Sequence, residues 1–161
     1  MRQKSTKPSL GVAEGRDGSP SRPRLPDWEP RLIAFADSVQ GDPFVLGQTN
    51  CSILAARAID AMTGSNHWKK FAAVATTDES ELSEASDRRT RREFEAAGFS
   101  KVRKNFEQPG DILIGWKKPF ERCAVCLGGG KVLTSNRDKG VIIIPLALFC
   151  RAYKPEGFRW A

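Results

Sequence analysis

With 161 residues, 40% hydrophobic and 28% charged, the chain has enough material for one domain with a proper core and too little for two. Its longest apolar runs, residues 141–144 and 146–150, fall far short of the roughly 20 residues of a bilayer span, so no membrane-crossing helix is expected. The formal charge of +7 comes without aromatic residues interleaved among regularly spaced Arg and Lys, and without a zinc-finger or helix-turn-helix signature, which argues against nucleic acid as a partner.

Much of that charge sits at one end. Residues 1–27 hold Arg2, Lys4, Lys7, Arg16, Arg22 and Arg24 against Glu14, Asp17 and Asp27, a net +3. Residues 1–26 are rich in Pro, Ser, Gly and Arg and nearly empty of apolar side chains. Such a segment buries too little surface to offset its ordering entropy, and it reads as a flexible basic arm. Arg2, Lys4 and Lys7 are followed by no apolar segment, so no Sec signal is expected and synthesis is assigned to the cytosol.

Residues 27–161 read as a single folded domain that begins near Leu25. Asp27 is a candidate cap for a helix with Pro30 in its first turn. Leu32, Phe35, Ala36 and Val39 make its apolar stripe, and Gly41, Asp42 and Pro43 end it. After the turn at 47–49, Asn50 is a good N-cap for a helix from Cys51 to Thr63. Ile53, Leu54, Ala55, Ala58, Ile59 and Met62 give that helix a broad apolar face, and Gly64 is a natural C′ residue. So much small and apolar content predicts a helix buried on most sides.

Residues 65–77 carry no clear pattern. Asp78 or Ser80 can open a short helix, and residues 88–97 form another that stops at Gly98, its Arg88, Arg89, Arg91 and Arg92 facing solvent. From Pro109 the apolar period changes from about 3.6 towards 2. Residues 111–116, 122–127, 131–135 and 141–144 then read as four strands, separated by turns at 117–119, 128–130 and 137–140. Helices followed by an antiparallel meander define an α+β class rather than a parallel βαβ fold.

The four cysteines, Cys51, Cys123, Cys126 and Cys150, lie in a chain with no export signal, which argues against a disulfide framework and leaves buried thiols, a reactive thiol or a metal site. Cys51 is the candidate for chemistry. In the first turn of a buried helix its sulfur lies near unpaired N–H groups and the positive end of the dipole, both of which favour thiolate. The same N–H groups can serve an oxyanion.

The segment Pro43-Phe44-Val45-Leu46-Gly47 followed by Asn50-Cys51-Ser52-Ile53-Leu54 resembles the nucleophile element of NlpC/P60-type cysteine peptidases, a papain-like group. Gln108-Pro109-Gly110-Asp111-Ile112-Leu113-Ile114 is similar to that family's strand opening. Arg122-Cys123-Ala124-Val125-Cys126-Leu127-Gly128-Gly129-Gly130-Lys131 is similar to its histidine strand and following turn. The elements come in the family's order over roughly residues 28–150. A compact branch found among phage and prophage tail genes looks closest, through the opening Leu25-Pro26-Asp27-Trp28-Glu29 and the segment from Pro145-Leu146-Ala147 to Ala152-Tyr153.

The resemblance implies a papain-like fold, in which N-terminal helices, one carrying the nucleophile position, pack on a small antiparallel sheet. It places Cys51 as nucleophile, Arg122 where the family has its general-base histidine, and Thr134 at the third polar position. A guanidinium stays protonated near pH 7 and cannot act as a base. Leu46 replaces the family's tryptophan and Asn50 its usual aspartate. His67, the single histidine, follows the far end of a helix about 20 Å long and reaches the thiol only if the chain folds back.

The implied role is therefore a phage or prophage tail protein, structural and with a degenerate site. It would be made in the host bacterial cytoplasm and carried in the virion, with other tail proteins as partners and no cofactor. Two alternatives stand beside it. One is an active peptidoglycan-cleaving cysteine peptidase or amidase using Cys51. The other is a structural zinc or iron–sulfur site ligated by Cys51, Cys123, Cys126 and Cys150, against which the odd spacing of Cys123 and Cys126 in one strand counts, because it points them to opposite faces.

Overall fold

The local rules of the sequence carry through to most elements of the computed structural model, which describes residues 23–66, 91, 92, 94–96, 98–117 and 120–160. Helix α1 spans Trp28–Val39 and buries Leu32, Ala36 and Val39. Phe35 packs at the edge of the same core, while Ile33 stays exposed. Asp27 does not cap α1 with its side chain; the carboxylate instead accepts from Arg31 Nε at 2.8 Å, one turn on. The chain enters α1 tethered to the second helix, since Leu25 N–H donates to Met62 O at 2.8 Å.

Helix α2 spans Cys51–Thr63 and buries eight side chains, Ile53, Leu54, Ala55, Ala56, Ala58, Ile59, Met62 and Thr63. Its alanines let it lie close to its neighbours on several sides at once. Gly64 ends it at φ +69°, a left-handed conformation that costs glycine little.

Six antiparallel strands form one sheet among the described residues: β1 Ser100–Val102, β2 Ile112–Lys117, β3 Phe120–Gly128, β4 Lys131–Asn136, β5 Gly140–Pro145 and β6 Glu156–Arg159, in the order β1-β6-β2-β3-β4-β5. The four expected strands are β2 to β5; β2 is shifted by one residue, and β3, β4 and β5 are longer by three, one and two. Three elements lay outside the sequence expectation. These are the short strands β1 and β6, and helix α3, Leu146–Tyr153, which follows β5 directly. β6 inserts between β1 and β2, so the end of the described chain closes against the strand that opens the meander.

Alternation along the strands splits the interior in two. Ile112, Ile114, Cys123, Val125, Leu133, Val141 and Phe158 face α1 and α2 and join their core. Leu113, Ala124, Cys126 and Val132 face the other way, onto Phe149 of α3. The chain is thus an α+β unit with a small antiparallel sheet covered on both faces by helices. Near β1, residues 91, 92 and 94–96 are helical, and Phe94 is fully buried between Phe99 and Phe158. Arg91 pairs with Glu156 at 3.0 Å and Arg92 is exposed, while Arg88 and Arg89, His67 and the short helix expected near residue 78 lie outside the described residues. Among the described residues no helix is long and apolar enough to cross a membrane.

Candidate functional site around Cys51

The approach to Cys51 is a loop held by its own side chains. The Thr49 hydroxyl donates to Pro43 O at 2.7 Å and accepts from Val45 N–H at 2.7 Å. Asn50 Oδ1 accepts from Gly47 N–H at 2.8 Å, with Gly47 at φ +80°. Asn50 Nδ2 donates to Ser52 Oγ at 3.0 Å. Asn50 stands at the N-cap position with extended backbone, but its side chain bonds Gly47 N–H and the Ser52 hydroxyl and takes no backbone N–H of α2. This corrects the expected capping role. It leaves the α2 N-terminus to other partners, the Cys51 sulfur among them.

The loop is also pinned to the sheet. Ser135 on β4 donates to Thr49 O at 2.6 Å, and both residues are buried. Since Thr49 lies two residues before Cys51, this bond sets the head of α2 against β3 and β4. Neither Thr49 nor Ser135 was singled out from the sequence. The sequence offers no clear signal for either, since Thr49 lies between Gln48 and Asn50 and Ser135 between Thr134 and Asn136.

Cys51 is half-buried at the head of α2, and its sulfur hydrogen-bonds the Cys123 side chain on β3. The thiol is brought down from 9.0 to about 7, first by that bond. Burial opposes the shift, while the backbone of Cys123, the positive charge of Arg122 and the backbone of Ser52 add to it. The last contribution is the helix-terminus effect expected from the sequence. The larger one comes from a second thiol.

The expected trio does not converge on the sulfur. Arg122 precedes Cys123 on β3, and strand alternation turns it to the α3 face, where its guanidinium lies 6.0 Å from the centre of the Tyr153 ring. Its charge acts on Cys51 through space. Thr134 is likewise one step out of phase with Ser135, and its hydroxyl donates to Cys123 O at 2.7 Å. Thr134 therefore braces β3 from β4 and does not orient a base. The residue that meets Cys51 is Cys123.

The four thiols separate into two pairs. Cys51 and Cys123 lie on the α2 face; Cys126 and Cys150 lie on the α3 face. Burial, reinforced by Asp111 and Glu107, pushes Cys126 up to about 12, and burial also raises Cys150. The sheet between the pairs prevents a four-cysteine site, and among the described residues no three His, Cys, Asp or Glu side chains gather to hold a metal ion. The four cysteines therefore do not come together as the one metal site considered from the sequence.

The Pro109-Gly110-Asp111 element does structural work. Gly110, at φ +85°, donates to Cys126 O at 2.7 Å, and Asp111 O accepts from Cys126 N–H at 2.9 Å. The fully buried Asp111 carboxylate takes both arms of Arg159 at 2.9 Å and Gln108 N–H at 2.8 Å. A groove of about 630 Å³ runs between α1 and the 128–130 turn, lined by Ile33, Asp37, Gln40, Leu127, Lys131 and Ile143 among others; Cys51 is not part of it. The concavity and the activated thiol are separate features.

An α+β unit presenting a thiolate-favouring cysteine at the head of a central helix is the class that fold and site define. A family model described as "Domain of unknown function (DUF6950)" matches residues 23–154, and the chain belongs to that family. No curated protein matches it.

Proposed function

We propose that this chain is a structural component of a phage or prophage tail, built on an NlpC/P60-like, papain-like scaffold whose hydrolytic site has degenerated. The observation that carries the degenerate site is the identity of the groups that, among the described residues, lower the Cys51 thiol: a thiol at Cys123, backbone groups and the Arg122 charge. None of these accepts a proton near neutral pH and returns it to a leaving amine, which amide hydrolysis requires. The placement in a tail rests on the sequence resemblance and is an analogy of family. Other tail proteins are the expected partners.

The test has two arms. Purified protein and its Cys51→Ala variant are incubated with peptidoglycan fragments; equal, negligible release supports the degenerate site, and release that depends on Cys51 overturns it. Particles from a producing strain are then assayed for the chain by mass spectrometry. Its absence from particles, with no affinity for other tail proteins, overturns the structural role.

The lowered Cys51 thiol favours one second reading, an active peptidase or amidase on cell-wall stem peptides. That reading needs a base from elsewhere, and His67, outside the described residues, is the chain's one imidazole. His67→Gln abolishing any Cys51-dependent release would support it.

A further inference from the structure

Two thiols in contact, one on a half-buried residue and one on a fully buried residue, form an arrangement that hydrolysis does not use. Cys51 opens α2 and is half-buried, whereas Cys123 on β3 is fully enclosed. Strand alternation aims Cys123, and not its neighbours Arg122 and Ala124, at the head of α2, and the two side chains hydrogen-bond. The Thr134 hydroxyl on Cys123 O and the Ser135 hydroxyl on Thr49 O fix the two backbones that carry these sulfurs.

We infer that Cys51 and Cys123 are a two-electron redox pair, in which Cys51 is the site of attack on hydrogen peroxide and Cys123 resolves the product to an intramolecular disulfide. The Cys51 thiolate attacks one peroxide oxygen; the O–O bond breaks, an S–O bond forms, and the departing hydroxide takes up a proton to leave as water. The Cys123 sulfur then attacks the sulfur of the Cys51 sulfenic acid. The S–S bond forms, the S–O bond breaks, and the Cys123 proton leaves with the hydroxide as a second water. Two thiols lose two electrons, one peroxide gains them, and two waters result.

The roles are not interchangeable. Cys51 is the less enclosed of the two residues, and the positive surroundings of its sulfur favour the thiolate that attacks. Cys123 is closed to an outside oxidant but lies against the sulfur it must reach. Closure brings the two sulfurs to an S–S length of about 2 Å. Cys126 and Cys150, on the opposite face with raised thiols, serve as an internal control. The inference is independent of the tail assignment and of any hydrolytic activity.

The full chain is treated with one equivalent of hydrogen peroxide near neutral pH, alkylated under denaturing conditions, digested and mapped by mass spectrometry. The expected result is loss of two of the four alkylatable thiols, a peptide pair joining Cys51 to Cys123, and recovery of both thiols with dithiothreitol. In Cys123→Ser, Cys51 is expected to stop as a sulfenic acid that dimedone traps. The proposal is overturned if the treated, unsubstituted chain accumulates sulfenic or sulfinic Cys51 with Cys123 still alkylatable. It is equally overturned if Cys126 and Cys150 link first, or if no thiol is consumed. Should Cys123→Ser fail to fold, the linkage map of the unsubstituted chain decides alone.

Discussion

The Asp111 carboxylate and the Arg159 guanidinium meet as two parallel forks: Nε donates to Oδ1 and Nη2 to Oδ2, each at 2.9 Å, while Arg159 Nη2 also reaches Phe106 O at 3.0 Å. The pair joins the residue just before β2 to the last residue of β6 and so holds the inserted strand in the sheet. Arg159→Ala leaves a fully enclosed carboxylate with one backbone donor. Because the guanidinium is partly exposed, a cost of about 2–4 kcal/mol is expected, read as a lowered urea midpoint with unchanged slope. The Asp111→Ala, Arg159→Ala double variant should be less destabilised than the sum of the two single variants.

The Cys51 thiol titrates near pH 7, about two units below its ordinary 9.0. Iodoacetamide labelling of Cys51 should therefore reach half its maximal rate close to pH 7, ahead of Cys126, which burial holds near 12. Cys123→Ala removes the largest stabilising contact and should move the Cys51 midpoint upward. A midpoint unmoved by that substitution would contradict the thiol–thiol contact.

The same shift has a consequence for stability with a definite sign. Between about pH 7 and 9 the folded chain has released the Cys51 proton that the unfolded chain still holds. Stability relative to Cys51→Ser should therefore increase as pH rises through that window, and the difference should be lost as pH falls through 7. Denaturant melts of both proteins at several pH values measure it.

Thr134 separates a bracing role from a catalytic one. Thr134→Val removes the 2.7 Å bond to Cys123 O and should cost about 0.5–1.5 kcal/mol in thermal or urea unfolding. The pH midpoint of Cys51 labelling should stay in place. Movement of that midpoint without loss of stability would restore Thr134 to the site.

Gly115 lies where the C-terminal end of α3 rests on β2. A methyl group there would stand 2.6 Å from Tyr153 Cβ and 2.9 Å from its carbonyl oxygen, too near for either to stay. Gly115→Ala is expected to cost about 1–3 kcal/mol by overpacking. Near-ultraviolet circular dichroism should report altered packing of Tyr153, the chain's one tyrosine.

Much of this protein follows from local chemistry. The apolar and small residues between Asn50 and Gly64 dictate α2, alternation and turn residues dictate β2 to β5, and the helix-then-meander order dictates the α+β class, because each signal acts within a few residues. The position of Cys51 at a helix start was legible for the same reason. Long-range pairing decided the rest. β6 is four residues with no alternation of its own, and it is a strand because Gly157 and Phe158 find β1 on one side and β2 on the other. The partner of Cys51 was decided in the same way. A strand repeats every two residues, so a single-residue difference exchanges Arg122 for Cys123 and Thr134 for Ser135. Any count back from the glycine turn also crosses the irregular pairing between Cys126 and Gly128. Sequence placed a sulfur at the head of a helix; only the packed sheet could choose which side chain it faces.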